Sequence, residues 1–349
     1  MRRDRHLFDR VVDFGALCEA ARRAAKGKRR QPEVARFLMD LEPEVLRLAR
    51  ELSDGSWRPG SYRVFHVRDP KPRTICAAPF RDRVVHHALC AVIEPRFERY
   101  AVADSFACRR GKGVLSALRR AQQHARRLPY FVKLDVRHYF QAIDHAVLRR
   151  LLRRLVADRR VLGLLDRILD AGAPGSPPGK GLPIGNLTSQ HLANLYLGRL
   201  DHHVKEDLPV PGYCRYMDDM LLFGPDRVTV RRWARAVAWF AGERLGLGIK
   251  HEATVLAPVT EGIPFLGFRV FPQAVRLDGR RVRRLRRRLR ALDRAVADGA
   301  LGEQDAAQAA GALVGWAAHG DTRRLLVSFY GRRASLRGSG EEGLRAATG

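Results

Sequence analysis

Residues 213–223, Tyr213-Cys214-Arg215-Tyr216-Met217-Asp218-Asp219-Met220-Leu221-Leu222-Phe223, set two adjacent carboxylates between two short, apolar, β-prone runs. Side chains alternate along a strand, so neighbouring aspartates face the same way only where a turn intervenes. A tight hairpin with both at its tip meets that condition. A third carboxylate would complete an oxygen cage for hard cations. The chain offers one at Asp135, near the end of the strand-length run Phe131-Val132-Lys133-Leu134-Asp135-Val136 and just ahead of the aromatic pair Tyr139-Phe140. Two strands that each deliver an aspartate suit two-metal phosphoryl transfer. Asp is also common in turns, and the tetrapeptide alone does not exclude a simple turn.

The 349 residues, 46% of them hydrophobic, are enough to bury a real core and to divide into two or three lobes. The balance of 65 basic against 37 acidic residues, a net +28, points to a polyanion as partner, although a generally basic proteome would also raise it. Arginine dominates, and its planar fork suits phosphate oxygens better than a membrane surface, which would favour charge beside an amphipathic anchor. The five cysteines (Cys18, Cys76, Cys90, Cys108 and Cys214) have no paired short spacing, so neither a zinc knuckle nor a disulfide framework is expected. No run reaches membrane-spanning length, no apolar signal core opens the chain, and Asp4, Asp9, Asp13 and Glu19 argue against a transit peptide. The expected location is cytoplasmic, with no membrane partner.

Along the chain, residues 7–26 and 33–53 read as two amphipathic helices. From Trp57 to Ile75 the pattern turns to β, and a basic hairpin is expected there around the turn Asp69-Pro70-Lys71-Pro72, followed by helices at about 80–99 and 114–127. Asp144 stands where an N-cap would start the helix carrying Val147, Leu148, Leu151 and Leu152. The Pro/Gly-rich stretch 172–185 exits through Gly185-Asn186-Leu187-Thr188-Ser189-Gln190 into another helix, a place suited to close approach by a nucleic-acid backbone. A helix at 227–245, a strand near 252–257 and the β-rich Ile263 to Val270 follow, and the last 75 residues read as helical. There Val282, Leu285, Leu289, Leu292 and Val296 form a stripe, while eight arginines between 280 and 290 cover the other faces. The whole reads as an α+β chain.

In this order the pieces resemble a reverse transcriptase over nearly the whole chain. Asp69-Pro70-Lys71-Pro72-Arg73 is similar to its fingers motif, and Asp135 to Phe140, Ile184 to Gln190 and Tyr216-Met217-Asp218-Asp219 to palm motifs A, B and C. Lys250 lies where motif D has a lysine, and Phe265-Leu266-Gly267-Phe268 resembles the primer grip. The resemblance implies a right-hand polymerase fold: fingers at 1–130 and 141–182, an antiparallel palm at 131–140 and 183–272, and a basic helical thumb at 273–349. Most of the family carries Gln-Gly with Ser-Pro in motif B. Ile184-Gly185 with Ser189-Gln190, and Leu192-Ala193-Asn194 after them, are instead similar to enzymes of diversity-generating retroelements, as are 81–89 and 104–113. Such enzymes copy a template-repeat RNA into cDNA with frequent errors opposite adenine. Their usual partner is a small, basic, oligomeric accessory protein.

The resemblance also implies the roles of residues. Asp135, Asp218 and Asp219, with the Val136 carbonyl, would ligate two Mg²⁺ ions, Mn²⁺ being the alternative, and Lys250 would act as general acid on pyrophosphate. Lys71 and Arg73 would clamp the triphosphate, Phe140 would exclude a ribonucleotide, and Ile184 with Gly185 would border the nascent pair. Template and primer would be met by Arg109, Arg110, Lys112, Ser189, Gln190, Asn194, Phe265, Leu266, Gly267, Arg283 and Arg287. His138 stands where relatives often carry a carboxylate. Rival readings are a defence-associated or retron-type enzyme, for which the retron Asn-Ala-x-x-His signature is absent, and a non-catalytic RNA-binding scaffold.

Overall fold

Residues 6–68 and 72–330 are described in the computed structural model, and they form two compact units. The first comprises 6–110, 135–209 and 235–252; the second comprises 111–134, 210–234 and 253–330. No helix among the described residues is long and apolar enough to cross a membrane.

The first unit is built around the helix Phe80–Tyr100, which buries Phe80, Val84, Val85, Leu89, Ile93 and Phe97, with His86 among them. A helix buried on nearly every side needs cover all round. Helices Phe14–Ala24 and Leu187–His202 supply it, and Phe37 meets Phe80 edge-on at 5.1 Å. The expected helix over 7–26 is two, Leu7–Val12 and Phe14–Ala24, because the Asp13 carboxylate accepts from Ala16 N and restarts the chain there. The expected helix over 33–53 likewise breaks at Asp40 into Pro32–Met39 and Leu41–Ser53. Strands β1 (Arg63–Arg68) and β2 (Pro72–Ala77) pair antiparallel, within the stretch where a hairpin was expected.

Two aspartates tie this unit together. Asp144 caps the helix His145–Leu155, accepting from Val147 N at 3.0 Å as expected. Asp158, only 5% exposed, caps Arg159–Asp170 through Arg160 N and Val161 N, and it also accepts from Phe8 N at 2.8 Å, a residue 150 positions away.

The second unit holds two antiparallel arrangements. Strands β3 (Tyr130–Asp135), β4 (Gly212–Tyr216), β5 (Asp219–Gly224) and β6 (Val255–Pro258) form one sheet in the order β4-β5-β3-β6. Tyr213, Cys214 and Met220 to Phe223 are fully buried, each apolar side chain contributing about 1.5–3 kcal/mol. The helix Val114–Ala125 lies on β4, its Ala117 carbonyl accepting from Cys214 Sγ. Strands β7 (Ile263–Phe265), β8 (Phe268–Val270) and β9 (Val275–Leu277) form a second, three-stranded sheet. The tail of the chain was expected to be helical throughout. It instead begins with β9, three residues too short to show a period, before the helices Gly279–Ala297, Glu303–Ala317 and Arg323–Tyr330.

Asp158→Ala removes a helix cap and strands the Phe8 amide, so a loss of about 2–3 kcal/mol in denaturant unfolding is expected. Asp158→Asn retains an acceptor oxygen and should cost less.

Candidate functional site

Tyr216 pairs with Asp219, which leaves Met217 and Asp218 as a two-residue loop between β4 and β5. Met217 sits at φ +53, a left-handed conformation that costs a side-chain-bearing residue of order 1–3 kcal/mol. Arg215, 1% exposed, braces it by donating from Nη1 to the Met217 carbonyl at 3.0 Å. Asp218 therefore occupies the tip, and Asp219 opens β5. Lys133 Nζ lies 2.9 Å from Asp219 Oδ1. The approach lacks hydrogen-bond geometry, so Oδ1 is a buried acceptor with no hydrogen-bond donor among the described residues.

In the first unit, Asp135 is held by the segment 248–250, which runs antiparallel beside it. Val136 bridges Ile249, Arg137 N donates to Gly248 O at 2.7 Å, and Lys250 N donates to Asp135 O at 2.8 Å. This backbone pairing delivers Lys250 Nζ to Asp135 Oδ1 at 2.5 Å. Beyond it, His138 turns left-handed at φ +45, Tyr139 is buried with its hydroxyl donating to Ala193 O, and Phe140 is half-buried against Tyr139.

Among the described residues, no three His, Cys, Asp or Glu side chains are gathered into a group that could hold a metal. The chemistry of the donors nonetheless suits a hard cation. Asp135 and Asp219 present carboxylate oxygens that each already face an ammonium, so both positions attract positive charge, and Asp219 Oδ1 is buried without a hydrogen-bond donor among the described residues.

The loop at Ile184 to Asn186 is fastened to β2. Cys76 N donates to Ile184 O at 2.8 Å, Asn186 Nδ2 donates to Cys76 O at 3.1 Å, and Ala78 N donates to Asn186 Oδ1 at 3.3 Å. Gly185, at φ +117, passes so close that a Cβ there would stand 2.9 Å from Ile75 Cγ2. Burial pushes the Cys76 thiol up from its ordinary pKa, keeping it neutral against the loop. Arg73 lies on the same strand with an exposed side chain, whereas Lys71 falls outside the described residues, as do Asp69 and Pro70. The importance of Asn186 escaped the sequence reading. An amide just before a helix reads as an N-cap, but its side chain makes no cap and bridges to a strand about 110 residues away.

Several residues expected at a nucleic-acid surface also make hydrogen bonds within the protein. Arg109 spends its guanidinium on Glu98 and on the carbonyls of Val102 and Ser105, which orders its own loop. Asn194 Nδ2 donates to Ala107 O at 2.7 Å, Ser189 is 2% exposed, and Gln190 accepts from Cys108 Sγ. Arg110 is exposed and Lys112 half-buried. Phe265 is buried, while Leu266 and Gly267 form the two-residue turn between β7 and β8. Arg283 and Arg287 are exposed and line a groove of about 770 Å³ with Arg286, Arg290, Asp293 and Arg294, while Leu285 and Leu289 are buried.

With this geometry in place, residues 67–270 match the family model described as reverse transcriptase (RNA-dependent DNA polymerase). Protein YkfC of Escherichia coli is 24% identical over 285 residues, 69% of this chain and 75% of that protein. The group II intron-encoded protein LtrA of Lactococcus lactis is 25% identical over 170 residues, 47% of this chain and 28% of LtrA. The chain thus spans three quarters of the first relative and little more than a quarter of the second. Among solved structures, an apo telomerase from Candida tropicalis, truncated from its C-terminal domain, superimposes with a TM-score of 0.50 at 10% identity, covering 66% of this chain and 59% of that one. That likeness shows the fold alone, a right-hand polymerase with antiparallel sheets and helices.

Asn186→Ala should leave the buried polar groups at Cys76 and Ala78 without their partner and destabilise the chain by about 1–3 kcal/mol in thermal unfolding.

Proposed function

Because the chain belongs to the reverse transcriptase (RNA-dependent DNA polymerase) family, we propose that it copies a template-repeat RNA into adenine-mutagenised cDNA for diversification of a target gene, as a diversity-generating retroelement does. The observation that carries this reading is the seat of Ile184. Its backbone is held by Cys76 and its loop by Asn186, so a branched alkyl group stands, half-buried, where most of the family carries glutamine. An alkyl group makes no hydrogen bonds, so it cannot hold the template base and incoming nucleotide to one geometry. The weaker A·T pair feels that loss more than G·C.

For the chemistry, Asp135 and Asp218 would hold two Mg²⁺ ions, with Asp219 as the supporting carboxylate and the Val136 carbonyl as a further ligand; Mn²⁺ could stand in. Support comes from the chemistry of the donors, since Asp219 carries a buried carboxylate oxygen that has no hydrogen-bond donor among the described residues. When bound, the ions supply a lowered pKa for the primer 3′-hydroxyl and counter-charge for the departing pyrophosphate. Lys250, carried on Asp135, gives a proton from Nζ to that pyrophosphate. Arg73, with Lys71, steadies the triphosphate through charge-assisted contacts, and Phe140 leaves no room for a 2′-hydroxyl.

The exposed Arg110, Arg283 and Arg287, with Lys112, hold RNA template and DNA primer by their phosphates, without reading bases. Leu266 and Gly267 meet the primer. Fingers, palm and thumb divide at 1–130 with 141–182, 131–140 with 183–272, and 273–349. A small, basic, oligomeric protein is the expected accessory.

Asp218→Ala should reduce primer extension to background, and extension that survives refutes the metal assignment. Ile184→Gln restores one hydrogen-bonding group, so misincorporation opposite adenine should fall by up to about tenfold, the equivalent of about 1.4 kcal/mol. An unchanged error spectrum rejects the adenine mechanism.

A further inference from the structure

The turn between β7 and β8 is built against its own preferences. Leu266 at φ +53 and Gly267 at φ +84 are the conformations of a tight two-residue hairpin, which favours Asn-Gly, yet a bulky leucine fills the first position. Such an outlier persists only where its surroundings over-determine it. Here the surroundings are two helices that come later in the chain. Arg281, in the first turn of Gly279–Ala297, lays its guanidinium on Gly267, where an added Cβ would stand 2.8 Å from Nε and 3.1 Å from Cζ. That guanidinium also lies over the Trp316 indole of Glu303–Ala317, 4.8 Å from the ring centroid, and Trp316 in turn packs on Phe268 at 4.9 Å. Asp278 N donates to Gly267 O at 3.1 Å, and β9 is tied to the next connection through Val275 N to Asp321 Oδ2 at 2.6 Å.

We infer that Arg281 and Trp316 are positioning residues for the primer strand: they lock the Leu266–Gly267 turn to the two helices, so that turn and helices present their contacts as one body. A guanidinium over an indole suits this, since the cation is attracted to the ring face without needing a carboxylate. The inference rests on the reading that this turn meets the primer.

The test uses the full chain on a primed RNA template with excess unlabelled trap, counting nucleotides added per binding event well below the melting temperature. Arg281→Ala and Trp316→Ala are each expected to shorten products about tenfold while the KM for dNTP stays within twofold, because the nucleotide site is untouched. Trp316→Phe, which keeps an aromatic face, should recover most of the length, and the double alanine variant should be no worse than either single. Leu266→Asp, which sets a negative charge on the turn, should weaken primer binding. Normal product lengths in both alanine variants beside a defective Leu266→Asp overturn the coupling. Short products in the alanine variants beside a normal Leu266→Asp overturn it too, since the pair would then act without the turn. A normal Leu266→Asp also removes the primer reading itself. Multiplicative loss in the double variant, or a Trp316→Phe no better than alanine, refutes the shared device.

Discussion

Met217 holds a backbone conformation that its side chain disfavours, and the burial of β4 and β5 keeps it there. Tyr213, Cys214 and Met220 to Phe223 lie wholly inside, so any shift in the pairing of the two strands would expose apolar surface worth several kcal/mol, more than the strain of one left-handed residue. The turn cannot relax without sacrificing that burial. Asp218 is fixed at the tip and Asp219 at the head of β5 by the packing of the strand residues on either side of the turn.

Charge is handled by two separate devices. At half-buried positions cations stand by named partners: Lys133 by Asp219, Lys250 by Asp135, and Arg109 by Glu98 with two carbonyls. Outside, the excess behind the net +28 is deployed as exposed arginines, clearest along the groove face of Gly279–Ala297. The first kind sets geometry. The second attracts a polyanion and is free to respond to salt.

Loops that carry candidate contacts are tied down by side-chain amides and carboxylates bonded to remote backbone. Asn186 fastens the Ile184 loop to β2, Asn194 fastens the loop at Ala107, and Asp158 fastens the helix Leu7–Val12 through Phe8 N. This explains why residues that look like ligand contacts in the chain can turn out to be braces. A loop held by a polar side chain in this way fixes the neighbouring positions too, so that Gly185 passes against Ile75 with no room for a Cβ.

Local signals in the chain were enough for the β4–β5 hairpin, the strand ending at Asp135, the β1–β2 ribbon and the Asp144 cap, because turn chemistry, alternation and capping act within a few residues. The helix breaks at Asp13 and Asp40 and the three-residue β9 were not legible, since each is too short to alter a period. What only the tertiary structure decided are partnerships between distant residues: Arg109 turned inward to Glu98, Asn186 joined to β2 rather than capping its helix, and Arg281 closed between Gly267 and Trp316. A side chain's type limits what it can bond, but its partner is whichever group folding brings within about 3 Å, and sequence spacing carries no record of that distance.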